Sequence, residues 1–415
     1  MSQRSEVRAR PSAAAVGVAG VLGSVAAVLL GAVGSQAPAV TVDQSYWIPA
    51  RAHVTVRGHG YGHGHGMSQY GAYGAARQGL TVDQILAFYY PSTTLSSRGG
   101  RIRVLVTGDT TDDLVVSPAP GLTVRDRGDR TTYPLPDIEG LTRWRLGVAD
   151  GQTVVDYLTD TWHRWRPEGK KPFVGDGQFK ADGPLTLWTP AGAKTFRGKL
   201  RAAAPTPGST KRDTLNVLPL DDYVKGVIPY EMPSTWHPEA VKAQAVAART
   251  YAAWTRAQYR KRYYQICDTT SCQVYGGMAG EQPAANAAVD ATAGQVLLHD
   301  GTPAFTQFSS SSGGWTAAGT LPYLPAQEDP YDAHDANPNH DWTVVVDARR
   351  LEKAYPAIGT LRRIRVTSRD GNGEWSGRVR TLQLDGSRAD RTISGDSFRW
   401  ALGLKSTWFS IDPPR

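Results

Sequence analysis

The side chains that could do chemistry fall into a lone glutamate, a basic helix face, a glycine–histidine tract and a serine–glycine run. Glu231 sits in VIPYEMPSTWHPEAVKAQAVAARTYA, residues 227–252, between a proline-terminated element and Pro233. Rigid neighbours hold a carboxyl group there, and apolar flanks can raise its pKa toward that of a working acid. Lys242 and Arg249 lie seven residues apart on the helix that follows, so they point the same way. They can line a groove beside the acid and bind hydroxyl or amide oxygens. The same spacing also suits a solvated basic face continued by Arg256, with Glu231 simply on the surface.

Residues 58–72 read GHGYGHGHGMSQYGA. So many glycines imply unusual backbone angles and close backbone approach. The histidines could hold metal, yet no helix fixes their spacing and no carboxylate stands nearby. A groove lining fits better, with one imidazole, Ser68, Gln69 and backbone NH groups offering polar contacts to a sugar. The structural alternative is a tight turn packed under Tyr70 and Tyr73. The run from Ser309 to Thr316 follows an apolar strand, and its place between structured elements suits an ordered loop. No G-x-S-x-G elbow, HExxH helix or phosphate loop is present, which disfavours hydrolases of those kinds.

These groups need a scaffold, and 415 residues provide one large or two ordinary domains. With 40% apolar residues, 12 Trp and 18 Tyr, the chain can fill a core. A net charge of +8 suits polyanions. No basic block or aromatic nucleic-acid motif accompanies the charge, so nucleic acid is not expected as a partner. Arg4, Arg8 and Arg10 precede an uncharged run from Ala13 to Val33, followed by Ala37-Pro38-Ala39. That is the layout of an export signal, and the run is also long enough for an uncleaved membrane anchor. Either places the rest outside the cytoplasm. There the two cysteines, Cys267 and Cys272, read as a local disulfide, since a zinc site would need further ligands.

The patterning predicts an α+β fold, a β-rich body with one long and several short helices and the site at a groove between lobes. We divide the chain into an export signal or anchor (1–39), a Gly-His segment (54–96), a β-rich module or insertion of illegible role (101–207) and a main domain (208–415). In the module, VVDYLTDTWHRW reads as a short helix. In the main domain, Asp221 or Asp222 is expected to cap a short helix that Pro229 ends. Pro238-Glu239 opens a long helix to about Tyr259. A second helix spans about 284–293, and Asp300-Gly301 turns a hairpin. Strands near 361–368 and 377–385, a helix around 396–403 and a strand near 408–411 follow.

The stretches DDYVKGVIPYEMPSTWHPEAVKAQAVAARTYA, CDTTSCQVYGG, FSSSSGGWT, SGRVRTL, ISGDSFRWALGLKSTWF and GHGYGHGHGMSQYGAYGAARQG together resemble the stage II sporulation protein D family, whose domain is shared with amidase enhancers. The resemblance covers about 54–96 and 210–411. It implies a lytic transglycosylase that cuts peptidoglycan between N-acetylmuramic acid and N-acetylglucosamine without water, leaving a 1,6-anhydro end. One carboxylic acid suffices for that reaction, without the second that ordinary glycosidases need. The resemblance makes Glu231 the acid/base and assigns Lys242, Arg249, His63, Ser68, Gln69, Ser312 and Thr316 to substrate binding. His59 and His65 stand where other residues are commoner. Some relatives hold zinc with cysteines and adjacent histidines; the missing histidines favour the disulfide, and neither metal nor cofactor is expected.

The implied partner is the glycan strand; a cell-wall amidase is the partner in the other reading, a non-catalytic wall-binding enhancer. A structural exported scaffold is a third reading. In one respect the order departs from the family, whose Gly-His motif usually follows the final strand. Here it comes first, as in a circular permutation. Val54–Arg57 should therefore lie against Phe409–Ile411.

Overall fold

A computed structural model of the protein describes residues 39–48, 53–167, 169 and 172–412. The segment read as an export signal or anchor lies outside them, apart from Ala39. Among the described residues no helix is long and apolar enough to cross a membrane.

The fold is α+β, and among the described residues two large apolar cores stand beside a small third one around Leu215. The first holds Met67, Ile85, Leu86, Ile102, Val104, Phe179, Leu200, Val246 and Leu324; the second gathers Val54, Val56, Ile364, Val366, Leu382, Phe398 and Phe409. Helices are short except one: α1 (Gln69–Arg77), α2 (Val82–Tyr89), α3 (Leu220–Lys225), α4 (Ile228–Glu231), α5 (Pro238–Gln258), α6 (Pro283–Ala291), α7 (Arg349–Ala354) and α8 (Gly395–Leu402). Helix α5 starts where its sequence says, with Pro238 in its first turn and Glu239 near the positive end. Val241, Ala245, Ala248 and Ala252 are all buried, and these small side chains let α1, α2, α3 and α6 pack closely around α5.

A seven-stranded sheet carries the first core. Its order is Ile266–Cys267, Arg101–Leu105, Asp213–Pro219, Lys199–Ala203, Gly177–Lys180, Thr123–Asp126 and Thr132–Pro134. Asp213–Pro219 pairs with Lys199–Ala203 on one side and Arg101–Leu105 on the other, so the 207/208 boundary expected from sequence runs through one continuous sheet. The helix expected at VVDYLTDTWHRW is a hairpin of Gln152–Leu158 and Trp162–Trp165. Strand periodicity wins there because Val155 packs inward while Asp156 bonds cross-strand to Arg145 (2.8 Å) and Arg164 (2.5 Å).

Helix α3 also departs from expectation. No side chain caps it; the Asp221 carboxylate instead accepts from Arg249 Nε (2.6 Å) and the Gly294 amide (3.1 Å). Pro229 does not end that helix but stands in the first turn of the next, α4. The hairpin at Asp300-Gly301 has both residues at positive φ, +48° and +69°, as a tight two-residue turn requires.

The second core packs against the sheet Val40–Trp47, Leu361–Arg369, Val379–Gly386 and Asp390–Ser394. Beside it lies a three-stranded sheet whose centre is His53–His59. That strand pairs antiparallel with Phe409–Ile411, matching Val56 to Ile411 and Gly58 to Phe409. The adjacency expected from the permuted order is therefore present. It brings the Gly-His tract, early in the chain, onto the last strand.

Candidate functional site

Glu231 ends α4, and the buried, extended Met232 behind it fixes the chain direction. The carboxyl group faces a cleft of about 350 Å³ bounded by His63, Tyr251, Phe305, Gln307, Phe308 and the loop 270–274. Among the described residues that line this cleft, Glu231 is the only acid. Burial raises its pKa above the usual glutamate range, and a hydrogen bond with the Val274 backbone offsets this only in part. The group therefore keeps a proton to higher pH than a free side chain does.

His63 belongs to the same cleft. The His65 amide donates to its Nδ1 (2.9 Å), which leaves the proton of a neutral ring on Nε2. The ring keeps contact with cleft water, yet protein crowds most of its surroundings. Desolvation, together with His65, Arg378 and Arg399, holds its pKa below the usual histidine range, so the ring is neutral at neutral pH. The tract reaches this place through tight backbone packing. Gly64 and Gly66 take φ of +79° and +67°, and a Cβ on either would run into Arg378 or the Gln307 carbonyl.

The wall facing Glu231 is held by Cys267 and Cys272, which form a disulfide with Cα atoms 5.6 Å apart. Asp268 next to it accepts from Thr107 Oγ1 (2.6 Å), tying the loop to the main sheet. Gln273 accepts from Tyr223 Oη (3.1 Å) and donates to the Ala248 carbonyl (3.4 Å). The bridge therefore shapes the same loop whose Val274 backbone bonds to Glu231.

Other expected site residues lie elsewhere. Arg249 is fully buried, with Nε on Asp221 and its Nη atoms on the Val289 and Gln295 carbonyls (3.1 and 3.2 Å). It staples α5 to α3 and α6 instead of lining the groove beside the acid. Lys242 bonds Glu239 (2.7 Å), whose other oxygen accepts from the Val82 amide at the start of α2 (2.7 Å). Seven residues did align the pair on α5, but that face meets neighbouring helices. Gln69 is buried against Gln244 of α5 (3.5 Å), and Thr316 donates to the Pro325 carbonyl (2.8 Å). His59 turns to Asp341 and Glu374 (2.6 and 3.0 Å).

Ser68 and Ser312 meet at two buried acids that the sequence reading did not single out, Asp329 and Asp332. Ser68 caps α1 by accepting from the Gly71 amide, and donates to Asp332 (2.6 Å). Asp332 also accepts from Ser311 Oγ (2.8 Å), the Ser312 and Gly313 amides (both 3.0 Å), Asn337 (3.0 Å) and His340 (3.0 Å). Ser312 Oγ and Tyr89 Oη donate to Asp329 (2.8 and 3.0 Å). Despite burial, the donors hold the pKa of Asp332 below the aspartate range, while burial and the Asp332 charge push Asp329 up. This knot fastens the Gly-His tract to the serine run. Its only sequence signal was the acid-rich stretch EDPYDAHD.

His63, Phe305 and Gln307 also line a second cleft of about 520 Å³, whose lining includes Arg378, Arg380, Gly395, Asp396 and Thr407. The two clefts thus share His63, Phe305 and Gln307 in their linings.

Residues 208–299 match the model of the family described as stage II sporulation protein. The chain carries a domain of that family. It is 40% identical over 135 residues to the amidase enhancer of Bacillus subtilis, covering 31% of this chain and 17% of that protein. Stage II sporulation protein D of the same organism is 30% identical over 231 residues, covering 48% of this chain and 62% of the relative. The corresponding protein of Bacillus amyloliquefaciens is 33% identical over 223 residues, with the same coverage. The chain thus spans less than two thirds of each of these relatives. The family domain contains Glu231, the disulfide and α5, whereas His63 lies outside the matched residues.

Proposed function

We propose that the protein is an exported cell-wall enzyme, a lytic transglycosylase that cleaves peptidoglycan between N-acetylmuramic acid and N-acetylglucosamine. The observation that carries this reading is a single acid of raised pKa, alone among the described residues lining its cleft. Protonated Glu231 donates to the leaving glycosidic oxygen. The resulting carboxylate accepts the proton of the muramyl unit's own hydroxyl as that oxygen closes on the anomeric carbon. The proton returns to Glu231, no water is consumed, and a 1,6-anhydro end remains. One carboxyl group completes the cycle, whereas hydrolysis needs a second to activate water or form an ester. His63 and Gln307 offer hydrogen bonds beside the acid, and Tyr251 and Phe305 offer ring faces to a sugar.

The test is mass spectrometry of digests of peptide-stripped glycan and of intact sacculi. Anhydro-ended products from the native chain and none from Glu231→Gln are expected; no such products with either substrate would sink the proposal. A second reading is favoured by the similarity to an amidase enhancer. In it the chain binds the wall and stimulates a partner amidase without cleaving glycan, and Glu231→Gln leaves that stimulation intact.

A further inference from the structure

The second cleft has a charge arrangement that glycan cleavage does not use. Arg378 is 5% exposed and lines the second cleft. Its Nη2 donates to the Ser312 and Trp315 carbonyls (2.7 and 3.3 Å), but Nη1 has no acceptor among the described residues. Arg380, two residues on and half-buried in the strand Val379–Gly386, lines the cleft as well, and its Nε also lacks an acceptor among the described residues. No described carboxylate lies within ion-pairing distance of either guanidinium: the salt bridges of this region join other partners.

Two acids share the lining, and each already has a partner. Asp370 accepts from the Arg378 and Asn372 amides (2.9 and 3.3 Å), clasping its own loop. Asp396 stands in the first turn of α8, 3.9 Å from Arg399. What the cleft lacks is a carboxylate paired with either cation. Buried donors are rarely left unmade, and two guanidinium groups on one lining without a carboxylate in ion-pairing distance suit an anionic ligand. Lysine would supply only a point charge, while a guanidinium matches the planar fork of a carboxylate.

We propose that the second cleft, at Arg378 and Arg380, is a carboxylate subsite, seating an acidic substituent of the strand held at Glu231. This rests on reading the Glu231 cleft as a glycan site, because the two clefts share His63, Phe305 and Gln307 in their linings. In peptidoglycan the carboxylate is either the lactyl group of a peptide-free muramyl unit or a carboxylate of an attached stem peptide. Both present the same chemistry to the arginines.

The experiment is calorimetric titration of the full chain carrying Glu231→Gln, which leaves the sugar uncut. The probes are an alternating GlcNAc–MurNAc tetrasaccharide with free lactyl carboxylates, the same sugar with those groups amidated, and its peptide-bearing form. The free acid should bind about tenfold tighter than the amide, as expected for a charge-assisted contact, and added salt should shrink the difference. Adding Arg380→Gln should abolish the difference while leaving the amide's affinity in place, which also reports that the fold is intact. If the peptide-bearing sugar alone depends on Arg380, the stem peptide supplies the carboxylate. Equal binding of acid and amide with no dependence of the peptide-bearing sugar on Arg380, or an equal loss of all three probes in Arg380→Gln, overturns the subsite but leaves the glycan site standing. No binding of any probe removes both.

Discussion

Glu231 and Asp332 are both carboxylates withdrawn from water, and they respond in opposite ways. Glu231 has a single backbone partner in Val274, and its pKa rises. Asp332 is completely buried, yet hydroxyl, amide and imidazole donors converge on it and its pKa falls. Burial penalises the charged form in both places; the number of donors decides the sign. An acid surrounded by donors is committed to holding the structure together. One left nearly bare in a cleft has a proton to give.

The largest expected effect is on catalysis. Glu231→Gln should lower anhydro-end release by about 10²–10⁴-fold, the usual worth of a positioned general acid. Folding should not suffer. A group whose folded pKa is raised loses stability as pH climbs from its unfolded value through its folded one, so Gln removes a cost present at neutral pH. Denaturant titration should find the variant at least as stable as the parent at pH 7, with the advantage gone below about pH 4, where the unfolded glutamate is also protonated. A variant that unfolds at pH 7 would mean that Glu231 is a structural acid.

Asp332→Asn should behave in reverse. It should cost about 3 kcal/mol or more, as expected when a buried charge with several donors is replaced. A depressed folded pKa stabilises above the unfolded value, near pH 4, and that contribution is lost as pH falls through the folded pKa. The difference between parent and variant should therefore be largest at neutral pH and shrink in acid. Equal stability at pH 7 would break the contrast between the two acids.

The legible parts of the molecule were those written in local spacing. Pro238-Glu239 and the small residues of α5 gave that helix its start and its packed face, and Asp300-Gly301 gave the turn. Glu231 was legible because its rigid setting is local as well. Arg249 was not, since nothing on α5 tells that Asp221, Val289 and Gln295 come to meet its guanidinium. Asp329 and Asp332 were missed for the same reason: Tyr89 and Ser68 lie far from them along the chain. The Gln152–Trp165 hairpin failed differently. Its alternation is plain only once Trp144 and Arg145 of the preceding strand are seen to pair with it.

The disulfide tests whether the cleft owes its bare acid to a held wall. Cys267 and Cys272 close a loop so small that the chain-entropy estimate for breaking it is about 2 kcal/mol. The paired Cys267→Ser, Cys272→Ser variant should thus remain folded. Its activity should fall by about tenfold or more, because displacing a group at a reacting centre is costly. The loss should appear in kcat, since the distant sugar contacts persist. Unchanged kcat would show that the anchors at Asp268 and Gln273 fix the wall without the bridge.

The smallest effect concerns His63, which faces the same cleft as Glu231 but has the other sign of shift. Its folded pKa is lowered, so protonating it costs stability as pH falls through the ordinary histidine range. In the working range the ring stays neutral. The pH profile of kcat/KM should accordingly show one descending limb, as pH rises through the raised pKa of Glu231, and no histidine step near pH 6.5. Replacing His63 by Gln keeps a neutral polar group there, so the position of that limb should not move and kcat/KM should fall only several-fold, as for one lost neutral hydrogen bond. A limb near pH 6.5 that vanishes in His63→Gln would assign the proton to the imidazole. The site would then work as a two-residue acid–base pair, with Glu231 no longer acting alone.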